Sequence, residues 1–131
     1  MKTVYLAGKI SGDPYYFSKF YEATKTLEEA GFAVLHGARL PGKGFTWDQY
    51  MRITWAMLEE CEAVCMLPDW KESRGAAYEY GQAVAQDKEI FYFAEWLEAQ
   101  KKTIRIVEIY DGDGNVVEEF AEEIKEGVCA E

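Results

Sequence analysis

Apolar residues along this chain fall into two patterns. Short dense runs are separated by longer stretches in which apolar residues return every three or four positions. TVYLA (3–7), FAVLH (32–36), AVCML (63–67) and EIFYF (89–93) are the dense runs, and each predicts a buried strand. Between the first two, Phe17, Phe20, Tyr21, Thr24 and Leu27 repeat at helical spacing and Gly31 closes the helix. Asp13 and Pro14 predict its N-cap and first residue. Met51, Trp55 and Leu58 give a second helix its apolar stripe, and Thr46 with Gln49 predicts a capping box at its start. Trp70 to Ala85 predicts a third helix, built of small residues. EWLEAQKK predicts a short helix, and TIRIVEIY (103–110) alternates as a fifth strand. DGDGN (111–115) reads as a turn, and Val116 to Glu126 as an acidic strand or helix. No repeat or linker interrupts the pattern, so a single domain over residues 1–131 is expected.

Strands that alternate with helices predict an α/β domain whose parallel sheet is covered on both faces. Ligands of such sheets bind beyond the carboxyl ends of the strands. Three of those ends carry Gly8–Gly12, His36–Phe45 and Pro68–Gly75. The second of them, with GARLPGKGF (37–45), is a candidate lid or pocket rim.

Composition narrows the partners. The formal net charge of −10 disfavours a nucleic-acid polymer, which needs a broad basic surface. It leaves room for a small phosphorylated ligand held by a local site. The three cysteines, Cys61, Cys65 and Cys129, are an odd number and read as free thiols in a reducing compartment. His36 is the single histidine, so no zinc site is expected, and no metal or cofactor. No run approaches the roughly 20 apolar residues of a membrane helix. A soluble, cytoplasmic protein is the expectation.

The candidate chemistry is sparse. AGKIS lacks P-loop spacing, and there is no G-x-G-x-x-G. DGDGNVVEEFAE imitates a calcium loop, but Val116 stands where glycine is required. GKISG, between the first strand and first helix, is either an anion-binding turn or an ordinary one. Ser73 reads in isolation as the N-cap of the third helix. Glu79 lies in a polar stripe with Gln82 and Gln86 and reads as solvated. Tyr5 reads as a core tyrosine and His36 as a loop histidine.

Two segments alter that reading. VYLAGKISG and SRGAAYEYGQAVA resemble the nucleoside 2-deoxyribosyltransferase-like superfamily, most closely its 2′-deoxynucleoside 5′-monophosphate N-hydrolase branch. YMRITWAMLEECEAVCMLPDWKESRGA resembles uncharacterised, often phage-encoded members. The resemblance spans residues 3 to about 93. It implies a flavodoxin-like (Rossmann-like) three-layer sandwich with a five-stranded, mostly parallel sheet. It implies Glu79 as carboxylate nucleophile and Tyr5 at the reacting centre. By the same resemblance Ser73 meets a 5′-phosphate, and Gly8, Lys9, Ile10, Ser11 and Gly12 form the phosphate-side loop; Arg74 beside Ser73 would favour a phosphate by its charge and Gly75 would allow close backbone approach. Thr54 stands where the superfamily has an aspartate that places sugar and nucleophile, and Asp48 lies one to two turns upstream. Asp48 and His36 are the candidates for protonating the leaving base. The implied protein is a homodimeric N-glycosidase of small nucleotides without a cofactor. A deoxyribosyltransferase, or a nucleotide-binding domain without activity, are the alternatives.

Overall fold

β3 (Ala63–Met66) is apolar throughout and β1 (Lys2–Ala7) is apolar and buried from Val4 onward, which suits central strands of a parallel sheet buried on both faces. In the computed structural model, which describes residues 1–125, they lie side by side at the middle of a four-stranded parallel sheet. β2 (Phe32–Leu35) flanks β1, and β4 (Glu89–Tyr92) flanks β3, giving the order β2-β1-β3-β4. Tyr5 pairs in register with Leu35 on one side and Val64 on the other. Val4, Leu6, Ala63, Val64 and Cys65 are fully buried, with Leu27 and Leu58 from the covering helices.

α1 (Tyr16–Glu29), α2 (Trp47–Glu59) and α3 (Arg74–Ala85) connect the strands. α2 starts as predicted: Thr46 Oγ1 accepts from Gln49 N–H and the Gln49 side chain accepts from Thr46 N–H. α1 starts later than predicted. The Asp13 carboxylate accepts from Tyr15 N–H at 2.9 Å and makes a local turn instead of a cap. The inward face of α1 also differs from the predicted stripe. Phe20, Ala23, Thr24 and Leu27 are buried, whereas Phe17 and Tyr21 are exposed. A short 3-10 turn, Gly37–Arg39, follows β2, and another, Trp70–Glu72, occupies what was predicted as the start of the third helix.

The fifth predicted strand does not join the parallel sheet. β5 (Lys102–Tyr110) pairs antiparallel with β6 (Val116–Lys125) in a separate two-stranded sheet. Its ladder partner lies only a turn away along the chain, and closing so short a loop costs little entropy. In that turn Asp111 accepts from the N–H groups of Asp113 and Asn115, and Gly114 takes a φ of +85°. The chain divides into two compact units, Met1–Glu95 and a second beginning at Trp96. α4 (Phe93–Ala99) spans the division.

Cys61 and Cys65 are free and buried. Burial pushes both thiols up, Cys61 to about 11, which makes them unreactive core residues. Cys129 lies outside the described residues. Among those residues no helix is long and apolar enough to cross a membrane.

Candidate active site

The first three parallel strands end around one cavity of about 150 Å³. β1 supplies Tyr5 to its floor and α3 supplies Glu79. α3 carries no broad apolar stripe, so its phase is set by small residues. Ala76 and Ala83 pack inward, and Glu79, between them on that face, is carried inward too. Glu79 is only 5% exposed, and Tyr5 2%.

The two side chains meet directly. Tyr5 Oη donates to Glu79 Oε2 at 2.5 Å. Burial holds the Glu79 carboxyl up at about 7, while hydrogen bonds from Tyr5 and Thr54 pull it partly back. Burial, and then the Glu79 charge, push the Tyr5 phenol well above its usual value. At neutral pH Glu79 is therefore present both as carboxylate and as carboxylic acid, and Tyr5 remains a hydrogen-bond donor. Thr54, buried in α2, lines the same corner, its hydroxyl 3.3 Å from the Met51 carbonyl one turn back. Gly37 roofs this corner: a Cβ there would lie 2.9 Å from Thr54 Cγ2 and 3.8 Å from Tyr5 Oη.

One end of the cavity is rich in hydrogen-bonding groups. Gly8, Ile10 and Ser11 border it after β1; Ser73 and Gly75 border it at the start of α3. Ser73 is the N-cap, its Oγ accepting from Ala76 N–H at 3.1 Å, so its own hydroxyl proton is left to donate. Gly8 is required by packing, since a Cβ there would stand 2.7 Å from Leu67 Cδ1. The other walls are apolar and aromatic: Tyr16, Phe20, Leu40, Trp47, Tyr50 and Met51. The 37–45 loop forms the rim, as predicted, through Gly37, Leu40, Pro41 and Gly42. Tyr50 ties it to α2 by donating to the Pro41 carbonyl at 2.6 Å.

Four of the residues proposed from sequence do not line the cavity. Lys9 N–H is already bonded to Asp69 Oδ1 at 3.0 Å, and its ammonium faces Glu72 at 3.8 Å. Gly12 forms the exposed bend of the turn with φ +82°. Asp48 is exposed in the first turn of α2. Arg74 is one residue past the cap, and the helical step of about 100° turns it outward. Its guanidinium stacks over Trp47 at 3.9 Å and faces Tyr78 at 5.9 Å.

His36 is not a cavity residue either. Its Nδ1 accepts from Ala38 N–H at 3.1 Å and its ring packs on Phe20. Burial, then Arg39, lowers it to about 4, so it is a neutral cap on the 3-10 turn and does not carry a proton to a leaving base at neutral pH.

The turn after β1 is held by charge. Lys19 of α1 donates to the Lys9 carbonyl at 2.8 Å, to Asp13 at 2.6 Å and to Asp69. Burial works against its charge, yet the two carboxylates hold Lys19 above its ordinary value, and Lys19 in turn lowers Asp13.

Sequence reasoning missed the aromatic walls. Tyr16, Trp47 and Tyr50 were legible only as residues in the first turns of helices that follow strand ends, the region where α/β ligands sit.

Comparison with known proteins follows the same outline. No curated protein matches the chain. Among solved structures it is similar to the 2-desoxiribosyltransferase from Leishmania mexicana, with a TM-score of 0.56 and 21% sequence identity. The match covers 70% of this chain and 63% of that one, so this chain spans less than two thirds of that protein's length. At that identity the likeness establishes a shared α/β fold. Residues 2–92 match the family described as a domain of unknown function, DUF4406. That span contains the whole parallel sheet and every residue bordering the cavity, and the chain belongs to this family.

Proposed function

We propose that the protein is an N-glycosidase that hydrolyses 2′-deoxynucleoside 5′-monophosphates, with Glu79 as the attacking carboxylate. The observation that carries this reading is the buried Tyr5–Glu79 hydrogen bond on the floor of an aromatic-walled cavity. Breaking an N-glycosidic bond builds positive charge on C1′ and the ring oxygen. A carboxylate in a low-dielectric wall stabilises that charge strongly. Tyr5 holds one Glu79 oxygen, which leaves the other to bond C1′ as the C1′–N bond breaks and its electron pair departs with the base. Water then attacks C1′ as the C1′–Glu79 bond breaks, its proton passing through solvent to the departed base, so that the neutral base and the sugar phosphate are released. A 2′-hydroxyl would withdraw electrons and raise the barrier, which favours 2′-deoxy sugars.

The Ser73–Gly75 end supports a phosphate. It offers a hydroxyl, a helix N-terminus and glycine backbone open to close approach. Arg74 has no part in this, since it stacks on the outside of the wall. The resemblance further supports a homodimer working in the cytoplasm.

A deoxyribosyltransferase is the second reading, and one observation favours it. No Lys or Arg borders the cavity among the described residues, so a neutral 5′-hydroxyl would fit the same end. Chromatography of deoxynucleotides and deoxynucleosides incubated with the protein separates the readings. The proposal expects free base from monophosphates. With two or three hydrogen bonds to the charged phosphate, each contributing roughly 1.5–3 kcal/mol, kcat/KM should fall about a hundredfold or more when the phosphate is removed. Equal use of nucleosides, with transfer to an added base, supports the transferase. Binding without base release points to a sensing domain.

A further inference from the structure

Trp47 is the first residue of α2, and the capping box of Thr46 and Gln49 fixes where that helix begins. Trp47 borders the cavity together with Met51 and Thr54, which follow it at helical spacing. Its position within the cavity is set by Gly75. A Cβ on Gly75 would lie 3.9 Å from Ser73 Oγ, 4.0 Å from Trp47 Nε1 and 3.3 Å from Met51 Sδ. The indole nitrogen therefore stands at the Ser73–Gly75 end, and the missing Cβ leaves room beside it and the Ser73 hydroxyl.

This N–H is the polar edge of an aromatic wall. Among the described residues nothing accepts from it, and unlike Trp55 Nε1 it is not sealed from water. The ring is held from its outer side. Arg74 lies over it at 3.9 Å and Tyr78 meets it edge-on at 5.5 Å. The ring does not depend on one contact, and a donor held in place before binding loses little freedom when a ligand arrives.

We infer that Trp47 Nε1–H donates to the 5′-phosphate of the substrate and helps this end of the cavity select a phosphate over a free 5′-hydroxyl. The inference rests on the reading of the cavity as a deoxynucleotide site. An indole N–H only donates, and an ionised phosphate oxygen only accepts, so the two match. A 5′-hydroxyl brings a proton that needs an acceptor of its own, and a hydrogen bond to a neutral oxygen is about half as strong as one to an anion. Selection of this kind needs no cation, and no Lys or Arg borders the cavity among the described residues. The spacing also suits the sugar. Gly75 and Glu79 are one helical turn apart, about 6 Å, comparable to the span of a deoxyribose from C1′ to its 5′-phosphate. A wall that only stacked a base would be served equally by phenylalanine.

The test reads the N–H itself. Protein labelled with 15N at its indole nitrogens gives signals for Trp47, Trp55, Trp70 and Trp96, and Trp47→Phe identifies the first by its loss. 2-Deoxyribose 5-phosphate, the part common to every proposed substrate, should move the Trp47 indole proton downfield, while 2-deoxyribose at the same concentration leaves it near its starting place. A Trp47 signal that moves equally with both sugars, or with neither, overturns the inference. A second arm replaces Trp47 with benzothienylalanine, which keeps the size of the ring and puts sulfur in place of the N–H. The ratio of monophosphate to nucleoside kcat/KM should then fall about tenfold, beyond any loss that the two substrates share. An unchanged ratio overturns the inference and leaves Trp47 as a wall. Base release from monophosphates with an unmoved Trp47 signal would sink this inference and keep the glycosidase reading. A moved signal without base release from any nucleotide would do the reverse.

Discussion

The two faces of α3 are separated by single residues and are built for opposite conditions. Inward, Ala76, Glu79 and Ala83 are buried, and Glu79 is a carboxyl kept from water and held near 7. Outward, Arg74 and Tyr78 are exposed; Arg74 lies over the Trp47 ring and Tyr78 meets that ring edge-on. The inner face carries an ionisable group at an energetic cost, and that cost supports the proposed role of Glu79. The outer face carries its cation where water and aromatic rings both stabilise it. Adjacent letters of SRGAAYEYG therefore belong to different environments, and the helical step decides which.

The largest effect expected from breaking this contrast is at Glu79. Glu79→Ala should reduce base release by several orders of magnitude, as loss of a single nucleophile commonly does. Near-normal turnover in a steady-state assay would return Glu79 to an ordinary buried residue. Stability should change in the opposite direction. The carboxyl has an ordinary value of 4.5 and is raised to about 7 in the fold. The folded state therefore binds more protons than the unfolded state between those values, and stability falls as pH rises through that window. Glu79→Gln removes the titration. It should be more stable than wild type at pH 8, by up to about 3 kcal/mol, and show little difference below pH 4.5. Urea unfolding of both proteins at the two pH values measures this. A variant no more stable at pH 8 would mean that the inner face does not store the cost described.

Much of this is legible in the sequence, and the misses have physical causes. The strands of the parallel sheet are dense apolar runs that have no other use in a small domain, so they are readable to within a residue or two. The fifth strand is recognisable as a strand, but its partner is not, because alternation says nothing about which edge a strand pairs with. The burial of Glu79 is hidden. With Ala and Gly at so many positions, α3 has no apolar stripe to fix its phase, and Glu79 aligns equally well with Gln82 and Gln86. The family resemblance implies a role for the residue, and its buried hydrogen bond with Tyr5 is visible only in the structure. Arg74 is next to Ser73 in sequence, yet one helical step carries it away from the cavity that Ser73 borders. The charge of the 9–12 turn is likewise invisible, since Asp69 and Lys19 come to it from distant segments.

A middle-sized effect is expected at the boundary between the faces. Ser73 both caps α3 and borders the cavity. Ser73→Ala should lose about 1 kcal/mol of stability through the cap. If the hydroxyl also meets the phosphate, monophosphate kcat/KM should fall about tenfold with nucleoside use nearly unchanged. Ser73→Asp separates the roles. Aspartate caps as well as serine, but its charge would repel a phosphate, so stability should hold while monophosphate use drops further. A Ser73→Asp variant that handles monophosphates normally would remove the phosphate from this end of the cavity.

The smallest effect is expected at Arg74, and it is the sharpest check on the contrast. If the guanidinium reached a bound phosphate, Arg74→Ala would remove a charge-assisted contact and cost about tenfold or more in monophosphate kcat/KM. The structure instead places it over the outer side of Trp47, 3.9 Å from the ring, so its loss should be felt as a stacking contact at an exposed site. Such contacts contribute about 0.5–1 kcal/mol. Arg74→Ala should therefore lower stability by that amount and leave monophosphate and nucleoside kcat/KM within about threefold of wild type. Any change should be shared by both substrates, because it would act through the Trp47 wall, which both would touch. A loss confined to the monophosphate would show that Arg74 swings inward when the ligand binds. The two faces of α3 would then exchange a residue during the reaction, and their separation would no longer hold.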